Sequence, residues 1–421
     1  MPKASLLSLL TFGAGPAPVR RKVPLTQPLR HARYRRLWLA NLVSNLGTWI
    51  QTFAAAWLVA SLSQSAAITS MVQTATYIPV FLCALFAGVV ADAVHRPRFL
   101  FFCNLFNAVC AAAMALLVWS GNVSSGPVLA ITFCLGIGTA FIWPAWQAAM
   151  SSLIDPEEVE AAATLNNLSY NLSAILGPAV GGLLFGWIGP GALFLANALS
   201  FAGLLTVYWL WWREGEPQRV ARDSFGVRLR QGLGMALGCA RYRRILRNVC
   251  SVFFATIAFA SLLPVFVREV LHLHAGVYGT LMGCLGGGAV LAAFFLPQVR
   301  ARVDRTGVLA GALLVYGAML LAMPFTRSLF VLAPLIVCGG MAWSATVSTL
   351  NAAAQLSFPA EVRARTLSIY LFVMSGAYVA GSVVWGRIAE AWGVQAALGL
   401  AGACVVINAL VLLTGGRRNP I

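Results

Sequence analysis

Charged residues are scarce in this sequence. Asp, Glu, Lys and Arg together make up 10% of its 421 residues, whereas soluble domains average about 25%. Hydrophobic residues make up 60%, and the mean hydropathy is +0.81. Because so few charges cannot cover the surface of a soluble protein of this length, the composition predicts an integral membrane protein in contact with lipids.

Acidic residues are the scarcer charged class: 12 Asp and Glu stand against 29 Lys and Arg, which leaves a formal net charge of +17. A basic excess also occurs in nucleic-acid-binding proteins, but there the basic residues form a stripe on a folded domain. Here they occupy short gaps between long apolar runs. We therefore expect membrane lipids, and no nucleic acid, among the partners.

Motifs of catalysis and metal binding are also missing from the sequence. The nine cysteines form no C-x-x-C pair, which argues against a zinc site or a disulfide framework. There is no Walker loop, no G-x-S-x-G elbow and no H-E-x-x-H motif. We expect His272 and His274, in a predicted outer loop, to be solvated. The sequence thus predicts no enzyme, no cofactor and no metal site.

Twelve apolar runs divide the sequence, and none contains Asp, Glu, Lys, Arg or His. A helix of roughly 20 residues crosses a hydrocarbon core of about 30 Å, and each run is about that long. Backbone groups in lipid must be paired within the segment, so runs without strand alternation fit helices. We predict an all-α membrane protein with twelve transmembrane helices. The predicted spans are 37–60, 67–91, 99–120, 127–150, 163–187, 190–212, 248–267, 275–297, 307–325, 329–352, 366–386 and 393–414.

Basic residues are divided unequally between the two sides of the membrane. The side of the termini holds 26, and the other side holds only Arg268, Arg327 and Arg387. Lys and Arg concentrate in cytoplasmic loops. We therefore expect a multi-pass protein of the cytoplasmic (inner) membrane with both termini in the cytoplasm.

Two motifs recur along the chain. A-R-Y-R-R-L at 32–37 returns as A-R-Y-R-R-I at 240–245, 208 residues later, and P-E-E-V-E-A at 156–161 returns as P-A-E-V-R-A at 359–364, 203 residues later. Duplicated halves allow alternating access, in which one half rocks against the other around a site near the midplane. The predicted domains are a cytoplasmic arm 1–36, a six-helix bundle 37–212, a cytoplasmic linker 213–247, a second six-helix bundle 248–414 and a cytoplasmic tail 415–421.

The linker contains apolar residues about four positions apart after Ser224, a spacing that predicts a helix. This helix is either a regulatory arm or an interfacial tether lying on anionic lipid, and we favour the tether. Its apolar positions are Phe225, Leu229, Leu233, Leu237 and Ala240.

The turn between the second and third spans reads G-V-V-A-D-A-V-H-R-P-R from Gly88 to Arg98. A carboxylate beside cations can pair with a neighbouring helix end in one conformation and release it in another, and a glycine permits close helix approach. We interpret Gly88, Asp92, Arg96 and Arg98 as a conformational gate. The alternative is a basic turn that only sets topology, with a solvated Asp92.

The fifth span contains a second motif of this kind, Gly177-Pro178 followed by Gly181 and Gly182. Proline removes a backbone hydrogen bond, and glycines allow two helices to pack closely. The motif therefore predicts a helix that bends and slides against a neighbour.

Polar and aromatic residues in three spans are candidates for a substrate pathway. In the first span they recur at intervals of three and four, which places them on one helix face, and this face must meet protein or a watery cavity. Each residue either lines the pathway or bonds between helices, and the tryptophans either stack on a flat aromatic ligand or pack. The candidates are Asn41, Asn45, Thr48, Gln51, Thr52, Gln73, Tyr77, Trp143, Trp146 and Gln147.

Together these motifs resemble the major facilitator superfamily, and most closely its enterobactin-exporter-like branch, the transmembrane secretion effectors. The resemblance extends from about Leu29 to Leu413. It implies two six-helix bundles, efflux of small molecules, a gate role for Asp92 with its arginines and an exporter role for the Gly-Pro motif. The residues that carry it are Asn41 to Gln51, Gly88 to Arg98, Pro144 to Gln147, Asn166 to Asn171 and Gly177 to Gly182.

Two positions depart from the pattern of this branch. Ala93 and Ala174 stand where its members often have basic residues, and 127–150 has no counterpart of the arginine found in many drug–proton antiporters. Because no predicted span contains a titratable carboxylate or histidine, a proton as coupling ion would need a carboxylate at the membrane boundary or a titratable group of the substrate itself. Asp92 is the first candidate, and Glu269 and Glu390 near the outer face are weaker ones, because solvent there holds a carboxylate near its ordinary pKa.

Three functions fit these observations. We favour a secondary transporter, a monomer, that exports small amphipathic molecules such as siderophores, drugs or natural products by rocker-switch alternating access. A lipid or lysolipid flippase would show lateral openings and grooves of acyl-chain size. A non-transporting membrane sensor or scaffold would show no alternation between two conformations.

Overall fold

The computed structural model describes residues 24–214, 234, 238–358 and 360–416. Within these residues the chain is built from α-helices joined by short turns, and α6 continues as a π-helical turn over Phe266–Val270. The helices are α1 Ala32–Leu62, α2 Ala66–Ala93, α3 Arg96–Trp119, α4 Ser125–Ser151, α5 Val159–Arg213, α6 Ala240–Val265, α7 Ala275–Arg300, α8 Arg305–Ala322, α9 Leu329–Gln355, α10 Ala360–Trp392 and α11 Val394–Gly416.

Helix α5 is too long for one membrane crossing. Its 55 residues would extend about 80 Å at roughly 1.5 Å per residue, against a hydrocarbon core of about 30 Å. Gly189 interrupts it with φ 75°, a conformation that favours glycine, and Pro190 follows. The break separates the predicted spans 163–187 and 190–212, which the structure joins without a loop.

Ten helices in the described part are long and apolar enough to cross a membrane, counting α5 once. Helix α1 is not among them, because Asn41, Asn45 and Gln51 lower its hydropathy. The structure therefore confirms an all-helical membrane protein in its described residues but not the predicted count of twelve.

Several helices begin before the predicted spans. Helix α1 begins at Ala32, ahead of 37, and α6 begins at Ala240, ahead of 248. Hydropathy marks where a helix enters lipid, whereas the helix itself can continue into water. The predicted arm up to residue 23 and the linker positions Ser224, Phe225, Leu229, Leu233 and Leu237 lie outside the described residues.

The repeated tyrosine performs the same task in each half. The Tyr34 hydroxyl donates to the Ala162 carbonyl at 3.3 Å, and the Tyr242 hydroxyl donates to the Thr366 carbonyl. Both rings are fully buried. Each bond joins the first helix of its half to the helix that follows the second repeated motif. We call α1–α5 the N-terminal half and α6–α11 the C-terminal half.

The buried apolar side chains form two clusters. The smaller one lies where α1 begins and includes Tyr34, Trp146, Phe201 and Tyr208; we call this the proximal end. The larger cluster runs through the C-terminal half and reaches the part of the N-terminal half where α1 ends and α2 begins. We call that opposite end, around residues 62–66, the distal end. The shared cluster connects the halves there.

Candidate functional site

The first seam between the halves is formed by α2 and α10, whose side chains meet in successive layers. The Thr74 and Ser382 hydroxyls are hydrogen-bonded at 2.6 Å. One turn further from the distal end, the Tyr77 and Tyr378 rings lie 4.5 Å apart, and Phe81 then stacks on Phe372 at 4.4 Å. The seam thus passes from a buried polar contact to aromatic pairs toward the middle of the molecule.

The second seam joins α5 to α7 and is built from the Gly-Pro motif. A Cβ atom added at Gly279 would lie 2.5 Å from the Pro178 carbonyl oxygen and 2.9 Å from the Gly182 Cα. Backbone therefore touches backbone across the two halves, which only glycine allows. On its other face the motif packs against α1, where Gly177 meets Trp49 and Gly181 meets Phe53. The motif thus contacts both halves.

Aromatic rings cover the second seam toward the distal end. Tyr278 of α7 stacks on Phe53 at 4.8 Å and on Trp57 at 5.8 Å. All three are buried, so these rings close the path between the halves at this level.

Two charged residues of the C-terminal half hold the turn between α1 and α2 at the distal end. The Arg268 guanidinium donates to the Ala60 carbonyl and, at 3.0 Å, to the Ser63 carbonyl. The Glu390 carboxylate accepts from the Ser65 hydroxyl at 2.8 Å and from the Ala67 amide at 3.2 Å. The turn is therefore bound on both sides by the opposite half.

The predicted polar face of α1 divides into two environments. Gln51 is buried and accepts a hydrogen bond from the Asn197 amide of α5, which is the bonding between helices that the sequence left open. Thr48 is exposed, and Thr52 donates to its carbonyl at 2.9 Å. Asn41 and Asn45 are half-buried.

The other pathway candidates, on α2 and α4, also differ in how far they are buried. Trp146 is buried in the cluster at the proximal end, where its ring packs within the N-terminal half. Trp143 and Gln147 are exposed on α4, and Gln73 is half-buried on α2. Tyr77 belongs to the seam described above. The pathway role of all these residues stays a prediction.

The predicted gate turn is described only in part. Gly88 and Asp92 belong to α2, but the surroundings of Gly88 and the side chain of Asp92 lie outside the described part of the structure. Arg96 is half-buried at the start of α3. The Arg98 guanidinium lies over the rings of Trp212 at 5.2 Å and Phe102 at 5.9 Å.

Sequence reasoning missed several residues of the seams. Half-exposed Tyr170 of α5 packs edge-on against Trp49 of α1 at 5.7 Å. Residue spacing along one chain gives no signal for such distant partners. Only Gly279 carries a hint, since a glycine inside an apolar helix often marks close packing.

A further cluster that the sequence did not indicate lies at the proximal end. His31 Nε2 and Glu158 Oε2 are 2.8 Å apart, and one ligand atom each of His31, Asp155 and Glu158 lies within 4.8 Å of the others. The sequence predicts no metal site, since residues 127 positions apart give no spacing signal. The contact between His31 and buried Glu158 ties the turn before α1 to the start of α5.

The family model described as transmembrane secretion effector matches residues 24–417, nearly the whole chain. The chain belongs to the transmembrane secretion effectors of the major facilitator superfamily. This confirms the resemblance seen in the sequence. Transmembrane secretion effectors are transporters, so the chain is a multi-pass membrane transporter and not an enzyme.

Two named proteins are similar to this chain in sequence. The multidrug efflux pump Tap of Mycobacterium tuberculosis (strain ATCC 25618 / H37Rv) is 23% identical over 89% of this chain and 91% of its own length. The staphyloferrin A transporter of Staphylococcus aureus (strain NCTC 8325 / PS 47) is 21% identical over 89% of this chain and 94% of its own.

Solved transporter structures share the fold. A bacterial homologue of the human lysosomal transporter Spinster, inward-facing and unoccupied, has a TM-score of 0.67 at 15% identity, covering 93% of this chain and 96% of that chain. A bacterial homologue of ferroportin, inward-facing, has a TM-score of 0.71 at 13% identity, covering 91% and 98%. At these identities the likeness shows the fold alone.

Proposed function

We propose that this secretion effector exports small amphipathic molecules across the cytoplasmic membrane by rocker-switch alternating access. The chain crosses twelve times in this proposal, because α1 spans once and α5 spans twice around Gly189. Both termini are cytoplasmic, as the 26 basic residues on their side favour. The distal end then faces outward. The name of one relative, a multidrug efflux pump, supports export, and the other, a staphyloferrin A transporter, supports transport of a small molecule.

One observation carries the mechanism: among the described residues, the side-chain hydrogen bonds that join the halves lie toward the distal end. The clamped α1–α2 turn, the bond between Thr74 and Ser382 and the approach of Gly182 to Gly279 all lie there. Half-exposed Tyr170 lies nearer the proximal end on α5. Closure at the outer end is what an inward-facing state requires.

The aromatic and polar side chains at the first seam and on the neighbouring helices α1 and α5 support an amphipathic substrate. Aromatic rings such as Trp49, Tyr170, Tyr77 and Tyr378 provide apolar faces, and tyrosine hydroxyls and Thr48 provide neutral polar groups. Ligand sites with mostly apolar walls and few polar groups bind molecules of that character. The predicted spans contain no fixed charge to select a strongly ionic substrate.

The test uses a reversible lock on the distal end. In a cysteine-free background, Thr74→Cys with Ser382→Cys places two thiols where the hydroxyls are now 2.6 Å apart, a geometry that a disulfide can bridge. Oxidation then keeps the outer end closed. We expect outward transport of fluorescent amphiphiles to stop in oxidised vesicles and to return after reduction.

The single variants Thr74→Cys and Ser382→Cys, treated with the same oxidant, are the controls and should transport at the same rate before and after treatment. Undiminished transport by the oxidised double variant, with its disulfide confirmed by mass spectrometry, would contradict the rocker-switch mechanism. No transport of any amphiphile by the reduced protein would favour the non-transporting sensor or scaffold.

A second candidate, a lipid or lysolipid flippase, is favoured by a groove at the distal end between α5 and α7. Its volume is about 420 Å³, and its walls include Trp57, Leu183, Phe185, Trp187 and His274. Such a lateral opening can admit an acyl chain. In proteoliposomes, a Trp187→Arg variant that loses lysolipid translocation and keeps export of soluble dyes would establish this second function.

A further inference from the structure

We propose that Arg268 and Glu390 form a charge clamp on the α1–α2 turn that keeps the distal end closed and must release before the transporter opens there. The inference rests on the proposed alternating access. It gives a conformational role to Arg268, which the charge count treats only as a loop charge, and to Glu390, which the sequence offers only as a weaker proton site. We keep the name charge clamp for these two side chains.

The first arm of the charge clamp is Arg268, which lies in the π-helical turn at the end of α6. A π-turn widens a helix locally and is frequent at functional sites. Here the turn presents the guanidinium to the Ala60 and Ser63 carbonyls, at the end of α1. The last carbonyls of a helix lack partners and carry partial negative charge, so a cation from the opposite half stabilises them.

The second arm is Glu390, near the end of α10. Its carboxylate meets the start of α2, where it accepts from the Ser65 hydroxyl and the Ala67 amide. The first amides of a helix lack partners and carry partial positive charge, so an anion stabilises them. The two arms therefore match the two helix ends in sign, and their bonds run between the halves.

The two residues of the charge clamp have no charged counterparts at the corresponding positions of the N-terminal half. By the offsets of 208 and 203, Arg268 corresponds to Ala60 and Glu390 to Trp187. Each helix start has a cap from its own half, since His274 accepts from the Gly276 amide at α7 and Ser65 accepts from the Ile68 amide at α2, but only α2 is described with an added carboxylate from the opposite half. The α2–α10 seam is thus clamped, and the α5–α7 seam has the groove beside Trp187 at the corresponding place.

The test compares accessibility at both ends of the molecule. In a cysteine-free background, Ser382→Cys reports the distal end, where Ser382 is fully buried, and Tyr170→Cys reports the proximal end. A membrane-impermeant methanethiosulfonate is applied to right-side-out and to inside-out vesicles. The exposed residue Asn122, as Asn122→Cys, identifies which preparation presents the distal end.

We expect Arg268→Gln and Glu390→Gln each to raise the labelling rate at Ser382→Cys by on the order of tenfold, as loss of a charge-assisted hydrogen bond predicts. Labelling at Tyr170→Cys should fall in the same variants, because alternating access couples the two ends. Arg268→Lys should retain part of the closure. Arg327→Gln, which removes a charge at the same end in the turn before α9, should leave both rates unchanged.

The charge clamp would be overturned if Ser382→Cys were labelled at the same rate with and without Arg268→Gln or Glu390→Gln. A rise at both reporters together would also overturn it, since that pattern indicates general loosening rather than release of one gate. If the disulfide lock fails to stop transport while the reporters still move in opposite directions, the charge clamp stands and the rocker-switch export proposal fails.

Discussion

Replacing Gly279 with valine tests whether the glycine seam must remain in backbone contact. The new Cβ would lie 2.5 Å from the Pro178 oxygen and 2.9 Å from the Gly182 Cα, whereas ordinary contacts are 3.4–4 Å. Both neighbours are backbone and cannot rotate away, so α5 and α7 must separate by about 1 Å. Overpacking of this kind costs about 1–3 kcal/mol.

This strain acts only on the state in which the distal end is closed. A cost of 1–3 kcal/mol corresponds to a shift of about 5- to 150-fold in the population ratio, at about 1.4 kcal/mol per tenfold. We expect spin labels at Asn122→Cys and Ser328→Cys to show longer distances in Gly279→Val than in wild type. Transport should fall, because the closed state becomes rare.

Gly287→Val is the matched control, since it lies on α7 two turns further along and its added Cβ meets nothing within 4 Å. It should leave the distance distribution unchanged. If Gly279→Val gives the same distances and transport as Gly287→Val, the backbone contact does not hold the closed state and the reasoning about the seam fails.

The remaining predictions concern buried bonds and the gate. Gln51→Leu leaves the Asn197 amide unpaired and should lower the free energy of unfolding by about 1–3 kcal/mol, whereas Gln51→Leu with Asn197→Leu should recover most of it in a double-mutant cycle; additive losses would contradict the bond. Tyr242→Phe should cost about 1 kcal/mol in thermal unfolding, and an unchanged midpoint would show that the repeated tyrosine only packs. Asp92→Asn should reduce efflux at normal membrane insertion; undiminished efflux would leave Asp92 a topology signal. A cysteine placed within 213–247 should resist an impermeant thiol reagent on intact cells, and strong labelling there would reverse the orientation.

The sequence predicted the helical membrane fold because lipid imposes a strong constraint on backbone pairing. Apolar runs mark where chain enters lipid, so the positions of the spans followed from hydropathy. Hydropathy did not predict that two spans join in one helix around Gly189, because a glycine and a proline between two runs are as consistent with a loop as with a kink. Hydropathy did not predict the early helix starts at Ala32 and Ala240, because a helix can continue from lipid into water.

The site could be predicted only where a residue type by itself indicates how it packs. Glycines of the fifth span predicted close packing, and Gly182 does meet backbone of the opposite half. Its partner Gly279 could not be chosen among the many other glycines, since a contact pair depends on how helices are arranged. The contacts of Arg268 and Glu390 were harder still, because an arginine in a loop is ordinarily read as a topology signal and a carboxylate there as solvated.

The two seams differ in what must happen for them to open. At α2–α10, opening must unstack Tyr77 from Tyr378 and break the bond between Thr74 and Ser382. At α5–α7, opening must part the backbones of Gly182 and Gly279 and unstack Tyr278 from Phe53, but it breaks no side-chain hydrogen bond described at that seam. Duplication alone would make the seams equivalent. The substitutions that distinguish them therefore place the charged and hydrogen-bonded groups beside α2–α10, where these groups can exchange their partners for water once the distal end separates.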